Sequence, residues 1–152
     1  MLTVLVIDES RSRAGEICAG LALAGYQVAA ILAGSENLTA EVERLQPDVI
    51  LIDTDSPSRD TLEHLATMNK DMPRPVVIFT QEDGKTAIRD AVKAGVSAYV
   101  VDGLDAKRIK PILDVAQARF EESQALRREL EDASKKLSDR KLLDQAKGVL
   151  MK

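Results

Sequence analysis

Acidic side chains stand where short apolar runs end. Val4–Ile7 is followed by Asp8 and Glu9, Val49–Ile52 by Asp53, and Ala98–Val101 by Asp102, while Val76–Phe79 ends at Thr80. Runs this short, rich in Val and Ile, read as buried strands. In an open α/β sheet, chemistry gathers at the carboxyl ends of the strands, so these side chains converge on one rim from distant parts of the chain. Like charges gathered this closely repel unless a cation neutralises them. A hard divalent ion such as Mg²⁺, held by carboxylates, a carbonyl and waters, is the natural compensation. In such a pocket Asp53 has the chemistry of a nucleophile toward a phosphoryl group, because carboxylates form acyl phosphates and the ion neutralises the phosphoryl oxygens. Thr80 is placed to donate its hydroxyl to one of those oxygens. The competing reading makes Asp8, Asp53 and Asp102 solvated strand-end residues or helix caps, and position alone leaves both open.

The elements that must position these residues follow from the spacing between the runs. Tyr26–Ile31 is a fifth, weaker strand candidate. Between the strands, apolar residues recur every three or four positions: Ile17, Leu21 and Ala24; Leu62, Leu65 and Met68; Ala87, Ala91 and Ala94. Gly25, Gly95 and Pro73 fall where helices should stop. Ser10 or Ser12 is placed to open the first helix, and Pro57 stands near the start of the third. Five strands alternating with five helices describe a parallel sheet covered on both faces. From Ile109 the three-and-four spacing continues through Leu113, Ala116, Phe120, Ser123, Leu126, Leu130, Ala133 and Leu137, with no Pro or Gly between residues 112 and 147. The last helix is therefore expected to continue as an amphipathic stalk of coiled-coil character, with a partner helix covering its stripe. Self-pairing into a homodimer is the first expectation. A single solvated helix held by Glu–Arg and Asp–Lys pairs is the other.

Composition narrows the function classes. The chain has 152 residues, 45% hydrophobic and 30% charged, which suits one compact domain with an appendage. One cysteine and one histidine exclude a disulfide framework and a cysteine- or histidine-rich metal centre. No run approaches the length of a membrane span, and the amino terminus lacks the pattern of a secretory signal, so a cytoplasmic location and no membrane partner are expected. Residues 1–120 hold 13 Lys and Arg against 18 Asp and Glu, and residues 121–152 hold 8 against 7. The acidic body is a poor surface for nucleic acid. There is no GxGxxG or GxxxxGK[ST] motif, and a phosphohydrolase built on Asp53 would lack a proton donor and an enclosing cap. The chain is not expected to be an enzyme. Cys18 reads as a small buried hydrophobe, His64 as facing water, and Asp55 as a loop acid over the pocket.

At these residues the chain resembles the receiver domain of bacterial response regulators, over roughly residues 1–120. The resemblance consists of Asp8-Glu9 after the first strand, Asp53 with Pro57 four residues later, Thr80 after the fourth strand, and Gly95 ahead of Ala98-Tyr99-Val100-Val101. It implies a flavodoxin-like fold. It also implies an acidic pocket of Asp8, Glu9 and Asp53 for Mg²⁺, with Asp53 as phospho-acceptor and Thr80 and Tyr99 as the switch pair. One position departs from the family pattern. Where strand five normally ends in Lys-Pro, this chain has Asp102-Gly103, so a carboxylate replaces the cation that would meet an incoming anion. Two readings follow: a phosphorylation-switched receiver whose output is dimerisation or protein binding, and a receiver serving mainly as a protein-binding surface.

The final segment resembles the start of the ANTAR domain, the RNA-binding antitermination module named from AmiR and NasR. Leu137, Arg140, Leu143, Ala146, Lys147, Gly148, Leu150 and Met151 carry that resemblance. It implies three parts: a receiver at 1–120, a helical stalk at 121–137, and the beginning of an incomplete ANTAR domain at 138–152. The Ser56–Asp60 loop and the Gly95–Leu104 stretch look most like NasT-type regulators of nitrate assimilation. In those, a nitrate-sensing partner protein holds the regulator until it is released to bind leader-RNA hairpins. Arg140, Lys141 and Lys147 are the candidate RNA contacts, although ordinary helix solubility accounts for them equally. Leader RNA is expected to bind the full-length protein and not this fragment.

Overall fold

The computed structural model describes residues 1–9, 14–102 and 105–150, with side chains as far as residue 137. Five strands alternate with five helices: β1 (Thr3–Asp8), α1 (Ala14–Leu23), β2 (Gln27–Leu32), α2 (Leu38–Leu45), β3 (Val49–Asp53), α3 (Arg59–Asp71), β4 (Val76–Thr80), α4 (Lys85–Lys93), β5 (Ala98–Val101) and α5 (Ile109–Leu150). The strands form one sheet in the order β2-β1-β3-β4-β5, and each adjacent pair is parallel. This is the five-stranded parallel sheet that the alternating runs predict, in the flavodoxin-like arrangement that the family resemblance implies. The weak second strand lies at Gln27–Leu32, one residue later than its apolar run suggests.

Alternation along the strands builds two cores. Val4, Val6, Val49, Leu51, Val77 and Phe79 pack with Ile17 and Leu21 of α1 and with Ile109, Leu113 and Ala116 of α5. Their neighbours Leu5, Ile7, Ile50, Ile52, Val76 and Ile78 pack with α2, α3 and α4 through Leu38, Val42, Leu65, Met68, Ala91 and Ala94. The three central strands are buried on both faces and accordingly read as continuous apolar runs. Two glycines are required by their surroundings. A Cβ on Gly20 would meet Ile109 Cδ1 and lie 3.0 Å from Ala106 Cα, so α1 approaches the start of α5 only because that side chain is absent. Gly95 ends α4 with φ +95°, and a Cβ there would collide with the Asn69 amide, which itself donates to Ala94 O at 3.0 Å.

Helix α3 opens at Ser58, whose hydroxyl accepts the Thr61 N–H, a side-chain N-cap. The first helix is described from Ala14, so the expectation that Ser10 or Ser12 opens it lies outside the described residues. The chain divides into two compact units, Met1–Arg119 and Phe120–Lys152. In the second, Leu126, Leu130 and Leu137 are 54%, 70% and 59% exposed. Arg127 and Glu131 pair one turn apart at 3.4 Å, an exposed contact worth little. Among the described residues no helix is long and apolar enough to cross a membrane.

Candidate functional site

In a sheet ordered 2-1-3-4-5, the connections diverge between β1 and β3, and the crevice at their carboxyl ends is where such folds place ligands. Asp8 and Asp53 are the last residues of those two strands and sit opposite one another in register. They are 4% and 2% exposed. Separate strands therefore bring two buried carboxylates together at one rim, as the sequence predicts. The Glu9 N–H continues the ladder by donating to Asp53 O at 2.9 Å.

The Glu9 side chain has a different environment. Thr54 Oγ1 donates to its Oε2 at 3.0 Å, and Thr61 Oγ1 donates to its Oε1 at 3.0 Å. Both threonines are buried. Neither stood out in the sequence, and the available signals were faint: a hydroxyl residue directly after Asp53, and a threonine three positions after the Ser58 cap. Among the described residues no three acidic, histidine or cysteine side chains are grouped so as to hold a metal ion. Asp8 and Asp53 have the right chemistry for a hard cation, but Glu9 as placed does not complete the set.

On the other side of the rim the polar contacts run to the backbone. Thr80, 2% exposed, donates its hydroxyl to Asp55 O at 2.9 Å and accepts the Glu82 N–H at 3.2 Å. It thereby joins the loop after β3 to the loop after β4. Tyr99 donates its phenol to Glu82 O at 2.8 Å, so both expected switch residues are tied to the same post-β4 segment. Burial, followed by the Glu82 carboxylate, pushes the Tyr99 phenol above its ordinary value, and the Thr80 hydroxyl partly opposes this. Asp102 is exposed and holds φ +53°, with its N–H on Thr80 O at 3.1 Å. The left-handed turn at the end of β5 thus falls on Asp102 itself, a residue type that tolerates it better than most. Gly103 lies outside the described residues.

His64 departs from the expectation that it faces water. It is half-buried, and its Nδ1 lies 2.8 Å from Ser35 Oγ, which in turn is 3.5 Å from Thr61 Oγ1. The apolar spacing of α3 placed His64 off the buried stripe but did not reveal Ser35, which comes from the β2–α2 connection. Cys18 is half-buried. Asp55 is exposed and meets Thr80 through its carbonyl. The side chains of Arg140, Lys141 and Lys147 lie outside the described residues. A cavity of about 690 Å³ between α3 and α4, lined by Pro57, Leu62, Ala66, Ala87 and Ala94 among others, includes none of the rim residues.

The fold and rim define a doubly wound α/β domain with an acidic strand-end pocket and a hydroxyl–phenol pair beside it. The response regulator receiver domain model matches residues 4–114, and the chain belongs to that family. It is similar to the transcriptional regulatory protein PdtaR of Mycobacterium tuberculosis, at 28% identity over 126 residues, covering 83% of this chain and 62% of that protein. It is also similar to the DNA-binding response regulator MtrA of Mycolicibacterium smegmatis, at 29% over 116 residues, covering 76% and 48%. The chain thus spans less than two thirds of the length of these relatives. Among solved structures, a CheY-like receiver domain protein from Methanospirillum hungatei superposes with a TM-score of 0.68 at 18% identity, covering 81% of this chain and 98% of the other. At that identity the likeness concerns the fold alone.

Proposed function

We propose that this chain is the receiver-bearing part of a transcriptional antiterminator, in which a partner protein controls an RNA-binding ANTAR module by docking on the receiver. The observation that carries this reading is α5. Ile109, Leu113 and Ala116 are fully buried in the receiver core, and the same helix extends to Leu150 and bears the Ala146-Lys147-Gly148-Val149-Leu150 part of the ANTAR string. A stalk at 121–137 and an ANTAR start at 138–152 are the parts this reading assigns. The exposed leucines at 126, 130 and 137 support pairing with a second copy along the stalk. The likeness of Ser56–Asp60 and Gly95–Leu104 to NasT-type proteins points to a sensor of nitrate or nitrite as the partner, with cytoplasmic action.

Control by docking suits the rim. The position where the family places a lysine carries an exposed aspartate, and Glu9 is engaged by two threonines. Asp8 and Asp53, joined by Glu9 only once its threonines release it, are the residues that would hold Mg²⁺, with Asp53 as phospho-acceptor and Thr80 and Tyr99 as the pair that would respond. The test is retention of a two-hairpin leader RNA by a version carrying the complete ANTAR module. The extended version should retain the RNA and release it when the sensor is added, whereas residues 1–152 alone should not retain it. Failure of the extended version to bind any such hairpin would sink the reading.

A second reading, a phosphorylation-switched receiver whose output is dimerisation or protein binding without RNA, is favoured by the burial of Asp53 directly opposite Asp8. Acyl-phosphate donor with Mg²⁺ should then add one phosphoryl mass to the chain but not to Asp53→Asn, and should shift its oligomeric state.

A further inference from the structure

We propose that Thr54 and Thr61 form a hydroxyl clamp that keeps Glu9 out of the cation site, so that this rim takes Mg²⁺ tightly only when the clamp opens. The proposal rests on the reading of Asp8, Glu9 and Asp53 as a receiver pocket and adds residues that reading does not use. An ionised carboxylate only accepts hydrogen bonds, and each threonine hydroxyl has one proton to give. Thr61 commits its proton to Glu9 Oε1 at 3.0 Å. Thr54 directs its own at Glu9 Oε2 at 3.0 Å, with Ser56 O as a second acceptor at 3.2 Å.

The Thr61 hydroxyl is supported from behind, and the acceptor-only carboxylate sets the direction of its bond. Ser58 Oγ accepts the Thr61 N–H at 3.1 Å, leaving its own proton for Thr61 Oγ1, 2.9 Å away. With one donor already supplied to its oxygen, Thr61 is set to donate forward to Glu9. Thr54 and Thr61 are 4% and 2% exposed, so water cannot readily take their place. Thr54 directly follows β3 and Thr61 lies in the first turn of α3, so the clamp reaches Glu9 from two elements at once.

Mg²⁺ demands several oxygens at about 2.0–2.1 Å in near-octahedral order, and the described residues offer no group of three ligating side chains. Hydrogen bonds to a metal-bound carboxylate ordinarily support the metal. Here they hold the carboxylate in an arrangement that does not complete the site, so their loss should strengthen binding rather than weaken it.

The test is titration of the 152-residue chain with Mg²⁺ alone, followed by amide chemical shifts up to tens of millimolar and by calorimetry. Thr61→Val and Thr54→Val should each tighten binding several-fold and the double variant about tenfold, since hydrogen bonds to charged groups are among the stronger ones. Thr61→Ser, which keeps the hydroxyl, should match the parent. Glu9→Gln, introduced into the double variant, should abolish the gain, because the freed carboxylate is what supplies it. Equal or weaker binding by a folded double variant overturns the clamp, as does a gain that survives Glu9→Gln. Thr61→Ala in the same titration decides the matter if the valine variants fail to fold: it should bind more tightly than the parent, and equal or weaker binding overturns the clamp. If the double variant gains nothing while Asp53→Asn removes the parent's binding, the clamp fails and the pocket stands. If no variant responds to Mg²⁺, the pocket fails with it.

Discussion

Two stretches of α5 share one spacing and differ in what covers them. Ile109, Leu113 and Ala116 are fully buried against α1 and the sheet. Leu126, Leu130 and Leu137, spaced by four and seven, are each more than half exposed. In the first stretch the cover was built to fit: Gly20 on α1 has no side chain where Ile109 Cδ1 and the Ala106 backbone come close. In the second no described residue supplies such a cover. A three-and-four repeat therefore shows that a helix has an apolar stripe, but not whether its own fold or a second molecule buries it.

The comparison breaks most clearly at Leu113. Leu113→Ala removes a fully buried side chain from a close-packed core and should cost about 2–5 kcal/mol in urea unfolding, a large share of a typical domain's stability. Gly20→Ala tests the fit from the opposite side. Its methyl group would press on Ile109 Cδ1 and lie 3.0 Å from Ala106 Cα, which is backbone and cannot rotate aside. A loss of about 1–3 kcal/mol is expected. A neutral Gly20→Ala would show that α1 and α5 are looser than their contact implies.

The contrast also marks how far the sequence could be read. Strand ends carrying Asp8, Asp53 and Thr80 were legible because burial on both faces forces unbroken apolar runs, and the residue after such a run must lie at the rim. The edge strand Gln27–Leu32 was weaker because its outer side is open and its pattern interrupted, with a register shift opposite Val4 and Leu5. Hydroxyl contacts were not legible. Thr61 reaches Glu9 across 52 positions of sequence and Thr54 across 45, and nothing in local spacing signals a contact set by tertiary packing. His64 misled for the same reason, since its partner Ser35 comes from another connection. Asp102 was legible as a departure in charge, but its left-handed backbone was not.

At the exposed end of the comparison, Leu126→Ala with Leu130→Ala should leave the unfolding free energy of the monomer within about 0.5 kcal/mol per site. Sedimentation over a range of concentrations supplies the sharper readout. If a second copy covers this stripe, the parent self-associates with increasing concentration and the double variant stays monomeric. Identical sedimentation of the two would remove the stalk from the list of interfaces and favour the solvated-helix reading.

The smallest effect belongs to Tyr99, a tether rather than a core element. Tyr99→Phe removes the bond to Glu82 O and should cost about 0.5–1.5 kcal/mol at neutral pH. Its pH dependence carries a definite sign. Burial first and the Glu82 charge second raise the phenol above 10.0 in the folded chain. The native state therefore holds that proton more firmly than the unfolded state does, and stability present below pH 10 drains away as pH climbs through the raised value. Tyr26, raised by burial and by Asp114, adds a loss in the same direction. Tyr99→Phe should start lower at neutral pH and fall less steeply above pH 10, so the two curves converge. Parallel curves would mean that the phenol is no more protected folded than unfolded, and that its bond to Glu82 O does not hold the post-β4 segment in solution.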